Sequence, residues 1–228
     1  MRRQTLDTNI TIAIALFTFF SVMASFAQFK AANLQAAATR LSLMPKIDAR
    51  SVVYHRGEGN NSYTDQNIEI HASGGPLYNA KIEKITWLSF QRQQKIFFKQ
   101  ELADYFHAEY ITGRSEGEIA KIQGYRNHHN FKRVADWAHN SLGWNIEVQG
   151  PMTLLKVGYH DALNEFHQKF ILIDQQRDTY LSAKEGEKLW SSMRKELSEQ
   201  TTVALGDLVD HPKRNVSLNL WRSKIPQL

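Results

Sequence analysis

Residues 9–29, NITIAIALFTFFSVMASFAQF, run twenty-one positions without a charged side chain. Wound as one helix at about 1.5 Å per residue, they reach roughly 31 Å, close to the roughly 30 Å hydrocarbon core of a bilayer. A helix apolar all round must be buried in lipid or in a large core. No second apolar run of similar length is present to bury it. The segment is therefore read as membrane-directed. One form is an uncleaved single-pass anchor. The other is a signal peptide, with Arg2 and Arg3 as its charged start, residues 10–24 as its apolar centre and Ser25-Phe26-Ala27 as a small-x-small cleavage pattern before Gln28. The run is longer than the usual apolar centre of about 7–15 residues, which favours the anchor. Arg2, Arg3 and the amino terminus with Asp7 opposing on one side, and Lys30, Arg40, Lys46 and Arg50 with Asp48 opposing on the other, nearly balance, so charge does not fix which side the rest of the chain occupies. The segment lacks the small-xxx-small seam with polar residues that marks a helix acting by oligomerising.

Beyond the run, residues 30–44 (KAANLQAAATRLSLM) are rich in helix formers and extend the helix as a juxtamembrane stalk. Pro45 should end it, because proline disfavours helical geometry in the residue before it. Three parts follow: a membrane segment at 1–29, the stalk at 30–44 and a folded domain at 45–228. With 42% hydrophobic and 11% aromatic residues the chain is too apolar to be disordered. Its 28 basic and 23 acidic residues leave a net charge of +5 with no long basic run, which argues against nucleic acid as a partner. The absence of cysteine excludes a disulfide scaffold, thiolate metal sites and a lipid-modified cysteine anchor.

After Pro45 the period changes from helical to alternating. Strands are expected at 47–55, 67–72, 80–90, 96–99, 105–112 and 118–123, separated by turn clusters at 57–62, 73–76 and 113–117. Phe131, Val134, Ala135, Ala138 and Leu142 predict a helix over 130–142, with Asn130 as its N-cap and Gly143 just past its end. The clearest hairpin joins 152–161 to 165–174, and Asn164 suits the left-handed position that closes its turn. Leu155, Val157 and Tyr159 share one side of the first strand, and Phe166, Phe170 and Leu172 one side of the second. Ser182 to Glu185 read as a capping box opening a helix that turns Leu189, Trp190, Met193 and Leu197 inward. A last strand is expected at 216–221. The fold class is mainly β with helical additions: an N-terminal transmembrane helix followed by an antiparallel sandwich.

Two stretches carry a resemblance. Ile68-Glu69-Ile70-His71-Ala72-Ser73-Gly74-Gly75-Pro76-Leu77 resembles the strand-and-turn signature, Asn-x-Gly-x-Gly-Pro-Ala between strands, of immunoglobulin-like β-sandwiches in uncharacterised bacterial membrane-anchored proteins. The hairpin carrying Tyr159, Asp161 and Asn164 is similar to the Tyr-x-Asp-x-x-Gly hairpin of the same proteins. This sequence has His71, Ser73, Leu77 and Asn164 where the pattern has asparagine, glycine, alanine and glycine. The resemblance covers about a third of the chain. It implies an anchored immunoglobulin-like sandwich and no activity.

Residues with chemistry are sparse. His128 and His129 are adjacent and point apart, so they cannot share one ion. His160 and His167 flank the hairpin turn and are expected near each other, as two of the three or four ligands zinc needs. Glu116, Glu118, Asp136, Asp161 and Glu165 read as scattered carboxylates. Nucleophile-elbow, P-loop and dinucleotide motifs are absent, and no metal or cofactor is assigned. The densest basic stretch holds Arg126, His128, His129, Lys132 and Arg133, interleaved with Tyr125 and Phe131. Arg126, Lys132 and Arg133 are its candidates for contacting an anionic ligand or lipid headgroups. The expected function is a membrane-tethered binding or interaction module whose partner, beyond the bilayer, is a protein or glycan. The alternatives are a secreted binding domain after signal cleavage, or a hydrolase or metal-dependent enzyme with its site in residues 100–150.

Overall fold

A computed structural model describes residues 2–54, 64–142, 146–174, 177–198 and 202–205, with side chains from residue 14 onward except 141 and 142. The turn cluster at 57–62, Gly143 and the expected strand at 216–221 lie outside the described residues. The chain divides into two compact units, Met1–Met44 and Pro45–Leu228.

The first unit is one helix, α1 (Arg2–Leu43), about 63 Å long at 1.5 Å per residue. Its stretch Ile14–Leu43 is long and apolar enough to cross a membrane, a property a signal sequence shares. Phe17, Phe20, Phe26 and Leu34 stand open on its surface. Its hydroxyls are satisfied internally: Thr18 Oγ1 donates to the Ile14 carbonyl at 2.8 Å and Ser25 Oγ to that of Ser21 at 2.9 Å. An apolar surround tolerates a polar group on those terms.

The second unit is mainly antiparallel β. Its elements are β1 (Lys46–Tyr54), β2 (Asp65–Ser73), β3 (Tyr78–Arg92), β4 (Lys95–Glu101), β5 (Ala108–Ile111), β6 (Gly117–Gln123), α2 (Asn127–Leu142), β7 (Ile146–His160), β8 (Phe166–Ile173), β9 (Asp178–Leu181) and α3 (Ala183–Ser198). A four-stranded sheet runs β1-β2-β6-β5 and a five-stranded sheet β4-β3-β7-β8-β9. The main core takes Ile68, Ile70 and Ile122 from the first sheet and Leu88, Leu155, Val157 and Ile171 from the second, with Phe131, Val134 and Ala138 of α2. A fully buried Ile or Leu contributes about 1.5–3 kcal/mol, so the alternating apolar positions of β2, β6 and β7 fix which face turns inward.

A second cluster lies on the other face of the larger sheet, where Ile85, Trp87, Leu154 and Phe170 meet Trp190, Met193 and Leu197 of α3. The capping box opens that helix: Ser182 Oγ lies 2.6 Å from Glu185 Oε2, and Glu185 N–H donates back to Ser182 Oγ at 3.3 Å. Phe170 and Leu172 face α3, while their neighbours Ile171 and Ile173 fill the space between the sheets. Gly186 sits on Phe170 so closely that a Cβ there would come within 2.2 Å of the ring carbon Cγ.

Several local expectations shift. The helix α2 starts at Asn127, three residues before the expected cap, and Asn130 N–H already donates to the Arg126 carbonyl at 2.8 Å. Asn127 is drawn in because its amide is claimed from outside: Oδ1 accepts from Gln66 N–H at 2.7 Å and Nδ2 donates to the Gln66 carbonyl at 2.9 Å. The strand expected over 105–112 is confined to Ala108–Ile111. Tyr105 and Phe106 bend into the core instead, where Tyr105 OH donates to Gln66 Oε1 at 2.6 Å. The strand β7 begins six residues before the expected 152 and runs through Gly150 and Pro151. A register shift between Trp87 and Ser89 of β3 accommodates them, as bulges accommodate proline. At the β7–β8 turn, Asn164 has φ 59°, the left-handed geometry its position requires.

One side of the sandwich is closed by side chains. Ala49 N–H, on the outer edge of β1, donates to Tyr180 OH of β9 at 3.1 Å, and that hydroxyl donates to Asp48. Burial, then the Asp48 carboxylate, push the Tyr180 phenol up from its ordinary range. Occupying an edge N–H in this way blunts pairing with another chain.

Candidate functional site

The outer face of the four-stranded sheet is polar by alternation. In β2 the inward Ile68, Ile70 and Ala72 leave Asn67, Glu69 and His71 outward, and in β6 Lys121 and Gln123 share that face. Among the described residues, the apolar sides of α2 and α3 are spent on the two cores and not on this face.

Glu69 anchors it. Its Oε2 accepts from Arg50 Nε at 3.3 Å and Nη2 at 3.0 Å, and its Oε1 from Tyr54 OH at 3.0 Å and Lys121 Nζ at 3.2 Å. The side chain is only 11% exposed. Burial alone would raise its pKa, but the hydrogen bonds from Arg50, Tyr54 and Lys121 and the nearby ammonium outweigh it and hold the carboxyl at about 2. Burial acts on Lys121 in the opposite sense, and its bonds to Glu69 and Tyr54 again prevail, raising its pKa. The ammonium lies 5.5 Å from the Tyr54 ring centroid, within cation–π range.

Beside this cluster lies a groove of about 440 Å³, lined by Tyr54, Asn67, His107, Lys121, Gln123, Gly124 and Tyr125. It sits at the end of the sheet remote from Lys46, where the chain enters. Its rim is fixed by the turn after β6. Gly124 N–H donates to Asn67 Oδ1 at 2.9 Å and Arg126 N–H to Asp65 Oδ1 at 2.8 Å. A Cβ at Gly124 would fall 2.5 Å from the Gln66 carbonyl oxygen, so only glycine lets the turn lie this close to β2. These ties hold Tyr125, 59% exposed, over the groove with the His107 ring edge-on at 6.5 Å.

Arg126, Lys132 and Arg133 are all exposed, and none lines the groove. Arg126 occupies a strained φ of 52° just ahead of α2, while Lys132 and Arg133 flank the buried positions Phe131 and Val134. Neighbouring His128 titrates below its ordinary range because burial, then the Lys132 charge, disfavour its protonation.

The histidine pair at the hairpin is not brought together. Strand pairing sets His160 opposite Phe166 and His167 opposite Tyr159, so the two imidazoles face opposite sides of the sheet. The carboxylates, expected to be scattered, instead form two groups with histidine. Ligand atoms of Asp161, Glu165 and His167 lie within 4.8 Å of one another, as do those of Glu69, His71 and Glu118. Each group's central acid is already used. Asp161 Oδ1 accepts from Leu163 N–H at 2.8 Å and Glu165 N–H at 2.9 Å, and Oδ2 pairs with His167 Nε2 at 2.8 Å. Burial opposes these bonds, which still hold the Asp161 pKa below its ordinary value. Asp161 thus staples the hairpin turn, and Glu69 is committed to two cations and a phenol.

The groove escaped sequence reasoning because Tyr54, Asn67, His107 and Lys121 are distant in the chain. The available signal was the alternation Lys121, Gln123 running into Gly124-Tyr125, which puts an aromatic residue just past a polar strand face. Comparison with protein-family models, curated proteins and solved structures found no match.

Proposed function

We propose that this protein is a membrane-anchored binding module, held by α1 and presenting the groove at the far end of its four-stranded sheet to a protein or glycan partner. The observation that carries the reading is the groove itself: lined by the rings of Tyr54, His107 and Tyr125 and the polar side chains of Asn67, Lys121 and Gln123, with its rim tied to β2 by the Gly124 and Arg126 N–H groups. Small-ligand sites typically span roughly 300–1,000 Å³ and are largely preformed. Exposed tyrosines over polar groups are what binding surfaces use, since they offer contact area at low entropic cost.

An immunoglobulin-like sandwich is part of this reading. Its support is the strand order, in which β1, β2, β6 and β5 take the places of strands A, B, E and D, and β3, β7 and β8 those of C, F and G, with β4 beside C. The groove then sits where the E–F turn meets the sheet. Strand β9 and both helices are additions to that frame. Anchoring is supported by the length and apolar composition of Ile14–Leu43.

The test is photo-crosslinking in native membranes. A benzophenone amino acid replaces Tyr125 in the full chain, with a second version at Lys188 on the exposed side of α3. Adducts at 125 and not at 188 are expected. Equal yields at both positions, or none at 125, would refute the groove as the binding face.

A further inference from the structure

The lining of the groove narrows what it can hold. We infer that its ligand is a saccharide bearing a carboxylate, a conclusion that rests on reading the groove as the binding site. Four observations carry it.

First, none of the seven lining residues is aliphatic. A groove for an apolar peptide side chain or an acyl chain would present Leu, Ile or Val, so the contact surface here suits a ligand covered in hydroxyls. Second, three of the lining residues are rings: Tyr54, Tyr125 and His107. Such rings offer an apolar face to the C–H side of a sugar while their polar tips reach its hydroxyls. Third, Asn67 and Gln123 add side-chain amides to the lining, and an amide both donates and accepts, as a row of hydroxyls requires.

The fourth is charge. Glu69 is shared by two cations, Arg50 and Lys121. Lys121 alone of these three lines the groove, and its side chain is 24% exposed. The Arg50 fork is spent on Glu69 through both Nε and Nη2. A phosphate or nucleic-acid backbone favours an open guanidinium fork or several cations. One partly exposed ammonium matches one carboxylate.

Carboxylated sugars come as uronates or as sialate-type acids, and the test separates them. The full chain in lipid nanodiscs is titrated with trigalacturonate and its methyl ester, and with sialyllactose and lactose, by calorimetry and by saturation-transfer NMR. One acid of the two is expected to bind, with at least tenfold weaker binding of its neutral counterpart and at least fivefold weaker binding to Tyr125→Ala. Tyr125 is exposed, so its truncation opens no core, and a Lys121→Gln variant that fails to fold leaves the test intact. Equal binding of acid and neutral form overturns the carboxylate and leaves the groove standing. Failure of both acids overturns the saccharide class, and the crosslinking at position 125 then judges the groove separately. Acid binding unchanged in Tyr125→Ala places the ligand elsewhere and overturns both.

Discussion

Replacing Glu69 by glutamine keeps the shape of the side chain and removes its charge, leaving Arg50 and Lys121 without the carboxylate they share. The carboxyl is held at about 2 against an ordinary 4.5, and a shift of one unit is worth about 1.4 kcal/mol. The full difference of about 3 kcal/mol falls to roughly 2 once solvent screening is allowed for, since the Arg50 partner stands mostly in water. Because the folded-state value is depressed, this stability is fully present above pH 4.5 and is lost as the pH falls through about 2. Glu69→Gln should therefore be about 2 kcal/mol less stable than the parent at pH 7, with the gap closing between about pH 4.5 and 2. Urea unfolding of the purified full chain in micelles, followed by the fluorescence of Trp87, Trp137 and Trp190, measures it at each pH. A gap that is absent at pH 7, or constant down to pH 2, would refute the ion cluster as drawn.

Three further substitutions probe the frame that positions the groove. Asn127→Ala strips Gln66 of partners for both its backbone N–H and C=O and should cost about 2–4 kcal/mol in the same unfolding assay, with loosened amide exchange at Gly124 and Tyr125. Gly186→Ala gains about 1 kcal/mol of helix propensity but drives a methyl into Phe170, so a net loss of about 1–2 kcal/mol is expected, partly recovered by adding Phe170→Leu. Asn164→Gly should be neutral or slightly stabilising, whereas Asn164→Val should lose about 1 kcal/mol or more, because the position needs positive φ.

The parts of the fold visible in the sequence were those decided locally. Asn164 in its turn, the Ser182–Glu185 box and the alternation Leu155, Val157, Tyr159 each follow from neighbouring residues, and the structure has all three. What stayed hidden was decided across the chain. Glu69 looks like an ordinary outward acid until Arg50, Tyr54 and Lys121 converge on it, the last from 52 positions away. Asn130 is a sound local cap for α2, yet Asn127 opens the helix because Gln66, 61 positions earlier, engages its amide. Density of basic residues pointed to Arg126, Lys132 and Arg133. The groove is instead built around Lys121, a single cation on a strand whose neighbours in space are Tyr54 and Asn67.

A chain without cysteine permits one measurement that addresses the central claim directly. A single cysteine is placed at Tyr125 or at Lys188, and its rate of alkylation is compared between native membranes and purified protein in nanodiscs. If the groove is the binding face, labelling at 125 is slowed in native membranes, where its partner is present, and labelling at 188 is not. Equal rates at 125 in both settings, under conditions where 188 labels normally, would contradict the account.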